Sequence, residues 1–136
     1  MEVTIEVTVN APIHIVWDAW TNEKHIVNWN FASDDWHCPG AKNPLQVGAT
    51  FSWRMEAKDG SMGFDFQGVY DKIETNKLLE YHLEDNRKVK VEFEETDGQV
   101  RLLESFETED QNSAELQKNG WQAILNHFKH YTESLI

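Results

Sequence analysis

The chain has little of what a disulfide-stabilised, membrane-spanning or nucleic-acid-binding protein requires. Its one cysteine, Cys38, cannot form an internal disulfide, and no apolar run approaches the ~20 residues that span a bilayer. Twelve basic residues stand against 24 acidic ones, and this net charge of −12 argues against binding to nucleic acid or anionic lipid. The N-terminus has no basic segment followed by an apolar one, as a secretion signal would. We therefore expect a cytoplasmic protein that binds neither nucleic acid nor membranes.

Contiguous motifs of catalysis and of metal binding are also absent. There is no Gly-x-Ser-x-Gly, no glycine-rich phosphate loop and no His-Glu-x-x-His. Asp34, Asp35, His37 and Cys38 are residue types that bind metals, but neighbours in sequence rarely point to one centre, and no second cluster has the spacing of zinc ligands. We expect no metal, no cofactor and no assigned catalytic residue.

Aromatic residues, in contrast, are abundant. The chain has six tryptophans, seven phenylalanines and three tyrosines in 136 residues. This length predicts one domain, spanning residues 1–136, that buries about two thirds of the surface of its unfolded chain. We expect a monomer. So many large rings favour either a bulky core or an aromatic-lined cavity.

Alternating apolar residues predict strands through most of the chain. In residues 1–10, Val3, Ile5, Val7 and Val9 alternate with polar residues, as in a half-buried strand. The same alternation recurs, between turn sequences, in five later segments: 51–55, 64–66, 79–83, 89–93 and 100–102. Gly68 interrupts one of them and suggests a bulge or bend. Six strands in an antiparallel meander are the simplest arrangement.

Two short helices and a long loop are predicted between the first two strands. Pro12 opens an apolar stripe that ends near residues 21–22, and a second short helix is predicted over residues 22–29. Residues 30–46 have little periodicity and are predicted to form the longest loop. That loop is either a lid or pocket mouth, or a surface loop anchored by Trp36.

A long amphipathic helix closes the sequence. Asn112 is predicted to cap it, with Glu115 three residues later as in a capping box. At 100° per residue, one face gathers a mostly apolar set: Ala114, Gln117, Trp121, Ile124, Leu125, Phe128, Thr132 and Leu135. His127 and His130 fall away from it and are predicted at the surface. Gly120 costs a helix roughly 1 kcal/mol relative to alanine, so we expect a close approach or room for a ligand there.

Motifs along the whole chain carry a resemblance to a known superfamily. They are Asn10-Ala11-Pro12 with Val16-Trp17, Trp36-His37-Cys38-Pro39, Leu45-Gln46-Val47-Gly48, residues 55–60, Gly68-Val69-Tyr70, and Gly120-Trp121-Gln122-Ala123-Ile124-Leu125. The chain resembles the START-like helix-grip (SRPBCC) superfamily, in particular the branch related to the C-terminal domain of the activator of heat-shock-protein-90 ATPase. The resemblance implies an α+β helix-grip fold, in which a curved, six-stranded antiparallel sheet wraps around the C-terminal helix, with two short helices between strands 1 and 2.

The resemblance also implies a deep, mostly apolar cavity between sheet and helix. If the strand phases hold, the candidate ligand-binding residues are Trp36, Trp53, Met55, Phe64, Phe66, Tyr81, Leu83, Glu104, Gln117, Trp121, Leu125 and Phe128. An equally weighted alternative is that these side chains only pack the core. Glu104 is in phase with Val100 and Leu102 and would face the helix, whereas a one-residue slip would turn it outward. A buried carboxyl there would have a raised pKa and could act as an acid, a base or a ligand anchor.

Three functions are consistent with the sequence. The leading hypothesis is binding, without turnover, of a small hydrophobic molecule, either planar and aromatic or lipid-like. The alternative is a chaperone ATPase regulator or interaction domain, connected to the stress response, with a chaperone as its partner. The third is a polyketide cyclase-type enzyme that uses Glu104 with His82 or Tyr81.

Overall fold

One curved antiparallel sheet and a long C-terminal helix dominate the structure, a computed structural model that describes all residues, 1–136. In chain order the elements are β1 (Glu2–Val9), α1 (Ile13–Thr21), α2 (Glu23–Ile26), β2 (Trp36–Lys42), β3 (Thr50–Ala57), β4 (Gly63–Glu74), β5 (Leu78–Leu83), β6 (Lys88–Thr96), β7 (Gln99–Glu107) and α3 (Ala114–Glu133). The strand order is β1-β7-β6-β5-β4-β3-β2. Strands β2 to β7 are therefore a meander, and β1 pairs with the last strand.

The sheet has seven strands, so the prediction of six is wrong. The additional strand is β2, within the segment predicted to be a loop, and it pairs with β3 at one edge of the sheet. Its pairing shifts register between His37 and Gly40. The proline between them, Pro39, has no N–H to donate, and a bulge breaks the apolar alternation. An interrupted edge strand therefore leaves no period-two pattern to detect.

The irregular position of β4 also differs from the prediction. Its register against β5 shifts between Tyr70 and Lys72, not at Gly68. Glycine is required at position 68 for a different reason, because neighbouring atoms approach its Cα closely. A Cβ added there would lie 2.7 Å from ring atoms of Phe51 and 2.8 Å from the backbone oxygen of His82. Only glycine fits this spot without displacing a buried ring.

The helix ends follow local hydrogen bonding. Helix α2 is shorter than predicted and begins where the side chain of Asn22 accepts a hydrogen bond from the backbone N–H of Lys24, at 3.0 Å. Helix α3 is capped by Ser113 rather than Asn112, because the Ser113 hydroxyl accepts from the N–H of Leu116 at 3.1 Å. No helix in the structure combines the length and the apolar character needed to cross a membrane.

Helix α3 buries its C-terminal half against α1 and the sheet. Leu125, Phe128 and Thr132 are fully buried, whereas Leu135, which was expected on the same face, is exposed. His127 is partly buried, contrary to its predicted surface position. Its Nδ1 donates a hydrogen bond to the backbone oxygen of Phe31, 2.5 Å away. The helix is thus tied to the segment that follows α2.

Candidate functional site

A cavity of about 220 Å³ lies between the sheet and the N-terminal half of α3. Twelve residues line it, nine of them hydrophobic: Trp20, Trp29, Asn30, Trp53, Met55, Phe64, Phe66, Tyr81, Arg87, Glu104, Trp121 and Ile124. For comparison, a dry apolar cavity of roughly 150 Å³ accepts benzene. The space therefore suits an aromatic molecule somewhat larger than one ring.

Seven of the candidate residues from the sequence line this cavity. They are Trp53, Met55, Phe64, Phe66, Tyr81, Glu104 and Trp121. They come from β3, β4, β5, β7 and α3, where the period-two and 3.6-residue patterns turn them to the same side. The structure thus brings together side chains that lie up to 68 residues apart, from Trp53 to Trp121.

The other five candidate residues lie elsewhere. Leu125 and Phe128 are in the fully buried core. Leu83 is buried and borders a separate, shallow and more polar pocket. Trp36 lies beside Phe64, with ring centroids 6.1 Å apart, just outside the lining. Gln117 caps the loop before α3, since its amide nitrogen donates to the backbone oxygen of Asn112 at 2.9 Å.

Five lining residues are additional to the sequence-based set: Trp20, Trp29, Asn30, Arg87 and Ile124. Two of them had a signal, because Trp20 lies on the apolar stripe of α1 and Ile124 on the apolar face of α3. The direction of Trp29 was not predicted, because the second predicted helix ran to residue 29, whereas α2 ends at Ile26 and Trp29 lies beyond it. It is held against Trp20, with ring centroids 4.9 Å apart, and its Nε1 donates to the backbone oxygen of Ala19 at 2.9 Å.

Trp121 joins α3 to the sheet at the cavity wall. Its ring stacks on Phe106 of β7, with centroids 4.2 Å apart and planes 7° from parallel. Its contact with Phe66 of β4 is edge-on, at 5.9 Å and 76°. Such contacts are worth about 0.5–1.5 kcal/mol beyond area burial. Trp121 therefore has a defined orientation without a ligand.

Glu104 is a buried acid in this apolar wall. It is 5% exposed, and unbroken pairing on both sides sets it opposite Ile5 of β1 and Val91 of β6. There is no register slip in β7, so of the two orientations left open by the sequence, the inward one is correct. Burial raises the pKa of Glu104 from 4.5 to about 8, and no hydrogen bond or nearby charge offsets this desolvation. Without a ligand the carboxyl group is mostly protonated at pH 7.

Other polar groups of the lining also lack partners in the protein. The indole nitrogens of Trp20 and Trp53 are buried N–H donors without an acceptor. Tyr81 is buried, and burial together with the nearby Glu104 raises its pKa well above the ordinary value. Its hydroxyl group therefore stays protonated at neutral pH. Unpaired buried donors are uncommon in proteins, and a bound molecule is one way to satisfy them.

The mouth of the cavity is formed by more exposed residues. Phe64 is 47% exposed, and Arg87 lies in the turn between β5 and β6. Arg87 is the one cationic side chain of the lining, and its Nε donates to a carboxylate oxygen of Asp85 at 2.6 Å. No histidine lines the cavity, and no cluster of His, Cys, Asp and Glu in the structure could hold a metal ion.

Comparisons with known proteins agree with this architecture. The family model described as "Activator of Hsp90 ATPase homolog 1-like protein" matches residues 10–133. The solution structure of an AHSA1-like protein from Aeromonas hydrophila is similar, with 39% sequence identity, a TM-score of 0.93, and coverage of 99% of this chain and 94% of that one. A solution structure from Cytophaga hutchinsonii has 52% identity and a TM-score of 0.84, covering 98% and 92% of the two chains.

A protein of much lower sequence identity has the same fold. The crystal structure of a protein from Chromobacterium violaceum shares 16% identity with a TM-score of 0.87, and the match covers 98% of each chain. At this identity the similarity concerns the fold alone. No curated protein matches the chain.

Proposed function

Because the chain belongs to the family of Activator of Hsp90 ATPase homolog 1-like proteins, we propose a function that uses the cavity of this fold: the protein binds a small hydrophobic molecule, planar and aromatic or lipid-like, between the sheet and α3. The observation that carries the proposal is the cavity itself, with nine hydrophobic residues among its twelve lining residues. Protein interiors are normally filled to the density of organic crystals. A space of about 220 Å³ between the sheet and α3 is an exception to this density, and it is large enough to hold a small ligand.

The shape of the lining favours a flat ligand. Seven of the lining residues are aromatic: Trp20, Trp29, Trp53, Phe64, Phe66, Tyr81 and Trp121. Rings stack face to face or edge to face on planar partners, and their rigid side chains lose little entropy on binding. We propose Trp53, Met55, Phe66, Tyr81 and Trp121 as the main apolar contacts. Of the remaining candidates, Phe64 and Glu104 also line the cavity, whereas Phe128 packs in the core against the lining residues Trp20 and Trp29.

A two-dimensional NMR titration with a mixed library of lipids and planar aromatic compounds tests this function. We expect saturable shifts that cluster on Trp53, Phe66 and Trp121. A matched pair of variants identifies the site, since Trp53→Phe alters the lining whereas Trp17→Phe alters a buried tryptophan that contacts Phe93 outside the cavity. Only the first should weaken binding of a library compound. No response to any compound, or equal effects of both variants, would argue against the proposal.

A second candidate function is regulation of a chaperone ATPase, and the description of the family is what favours it. The excess of 24 acidic over 12 basic residues is compatible with docking to a basic protein surface. An ATPase assay with an Hsp90-type chaperone and increasing amounts of the protein tests this role. Stimulation that saturates would support it, and unchanged turnover at saturating protein would exclude it.

A further inference from the structure

Glu104 poses a chemical problem that a purely hydrophobic ligand does not solve. The carboxyl group is 5% exposed in an apolar wall and has no hydrogen bond or counter-charge from the protein. A buried acid of this kind destabilises a fold unless a partner compensates it. An alkyl or unsubstituted aromatic ligand would remove the remaining water and leave the group without any partner. The ligand is therefore expected to carry a group that interacts with Glu104.

The aromatic rings around Glu104 are a second feature that favours a cationic ligand. Four tryptophans, two phenylalanines and one tyrosine share the cavity with Glu104. The faces of aromatic rings carry negative potential and attract cations, tryptophan most strongly. Cages of such rings bind ammonium groups with apolar substituents, because the charge stays close to the ring faces while the substituents bury apolar surface.

The charge distribution of the protein agrees with a cationic ligand. The net charge of −12 raises the local concentration of cations around the molecule. Arg87 is the one opposing charge of the lining, and Asp85 neutralises it at 2.6 Å. Arg87 forms its salt bridge with Asp85 and not with Glu104, and no charged group offsets the desolvation that raises the pKa of Glu104. The inner part of the cavity therefore has one acid and no base.

We propose that the ligand is an organic cation, an ammonium group with apolar or aromatic substituents, that pairs with Glu104 inside the aromatic cavity. This inference rests on the proposed function, because it names the ligand class of the same site. The cation meets the Glu104 carboxylate, and its substituents contact the rings of Trp53, Trp121 and their neighbours. A neutral ligand that accepts a hydrogen bond from protonated Glu104 is the competing possibility.

Binding of a cation and protonation of Glu104 exclude each other, so affinity depends on pH. The groups opposite Glu104 are the apolar Ile5 of β1 and Val91 of β6, and α3 contributes Trp121 to the cavity. Tyr81 of β5 is the neighbouring titratable group, and its pKa is raised far above this range. Since the pKa of Glu104 is about 8, the affinity for a cation should rise with pH up to about 8 and level off above it.

Two probes of nearly identical shape test the inference. Phenyltrimethylammonium and tert-butylbenzene differ by a positively charged nitrogen in place of a carbon, and neither titrates, so any pH dependence belongs to the protein. Both are titrated into the labelled protein between about pH 6 and 9 and followed by two-dimensional NMR. At pH 9 we expect phenyltrimethylammonium to bind at least about tenfold more tightly than tert-butylbenzene. Below pH 8 its affinity should fall by up to about tenfold per pH unit.

Glu104→Gln isolates the carboxylate. The amide keeps the shape but not the charge, so we expect the affinity for phenyltrimethylammonium to fall about tenfold or more and its pH dependence to disappear. The affinity for tert-butylbenzene should change less than about threefold. Glu95→Gln is the matched control: it removes one charge from an exposed site away from the cavity and should leave both affinities unchanged.

The outcomes separate this inference from the proposed function. If tert-butylbenzene binds in the cavity as tightly as the cation, and Glu104→Gln changes neither affinity, the ligand is neutral and the hydrophobic binding function stands without the cation. A cation that binds equally well to wild type and to Glu104→Gln also overturns the inference. If neither probe and no library compound shifts the cavity residues, both proposals fail.

Discussion

The two halves of α3 lie in very different surroundings. In the C-terminal half, Leu125, Phe128 and Thr132 are fully buried, and Phe128 meets the edges of Trp20 and Trp29 at centroid distances of 4.8 and 5.0 Å. In the N-terminal half, residues 114–124, no residue is buried. The stacked ring of Trp121 and a hydrogen bond from the Gln122 amide to the backbone oxygen of Glu6, at 3.3 Å, hold that half to the sheet.

Along α3, the residues that fill the core are thus separate from the residues that line the cavity. Tight packing at one end anchors the helix to α1 and the sheet, so the other end need not be filled in order to stay in position. An open space within a domain is tolerated when the contacts elsewhere supply the free energy of folding. The packed half therefore supports the fold, and the half beside the cavity is the one on which the proposed binding function depends.

The largest expected effect concerns truncation in the two halves. Phe128→Ala removes a fully buried ring and should lower the free energy of unfolding by about 3–5 kcal/mol. Ile124→Ala removes a partly buried side chain beside the cavity, where little new void is created, and should lower it by about 1 kcal/mol. Urea unfolding measures both. Equal losses would show that the two halves are packed alike.

Next in size is the pH dependence that Glu104 imposes on stability. Its pKa is about 8 in the fold and near 4.5 in the unfolded chain, so between these values the folded state binds the extra proton. The free energy of unfolding should therefore fall by a few kcal/mol as the pH rises from about 5 to 8, because the buried carboxyl group loses its proton. Glu104→Gln should remove this loss and be more stable than wild type at pH 8.

Denaturation curves of wild type and Glu104→Gln at pH 5 and pH 8 measure this effect. Surface acids with lowered pKa values, such as Asp59 and Glu133, act in the opposite direction and at lower pH, and they are the same in both proteins. Their contribution cancels in the difference between the two. Parallel stability curves would mean that Glu104 is solvated in the folded protein.

Substitutions of two glycines test, with smaller expected effects, the contrast between the tightly packed core and the half of α3 beside the cavity. The first glycine, Gly68, lies in the packed part of the sheet. Gly68→Ala would bring a Cβ to 2.7 Å from the ring of Phe51 and 2.8 Å from the backbone of His82. We expect a loss of about 1–3 kcal/mol in the free energy of unfolding, since Phe51 is fully buried and cannot move freely. A loss within the error of thermal unfolding would mean that the sheet yields there.

The second glycine is in the half of α3 beside the cavity, and its effect is the smallest and opposite in sign. A Cβ at Gly120 would meet no atom within 4 Å. Gly120→Ala should therefore stabilise the helix by up to about 1 kcal/mol, raising the midpoint of thermal unfolding. The expectation of a close approach at Gly120 is thus incorrect, and open space is what the structure has. A lower midpoint would indicate that this space is closed in solution.

Parts of the site could be predicted from local patterns, and parts could not. Trp53 and Phe66 follow from the period-two alternation of β3 and β4, and Trp121 from the apolar face of α3. Trp29 and Arg87 could not be predicted, because they lie outside regular elements, where no periodicity indicates a direction. The strand β2 escaped detection for a related reason, since its bulge at the edge of the sheet interrupts the alternation.

Local sequence patterns alone specified the types and order of the elements other than β2, the inward faces of β1, β3, β5 and β6, and the apolar face of α3, because backbone geometry imposes the periods of 2 and 3.6 residues. The tertiary structure, in contrast, sets the tight packing of the sheet and α3 around Phe128 and the space of about 220 Å³ beside Trp121. It also decided that Glu104 faces that space without a partner. A cavity depends on distances between elements far apart in the chain, and no local pattern records those distances.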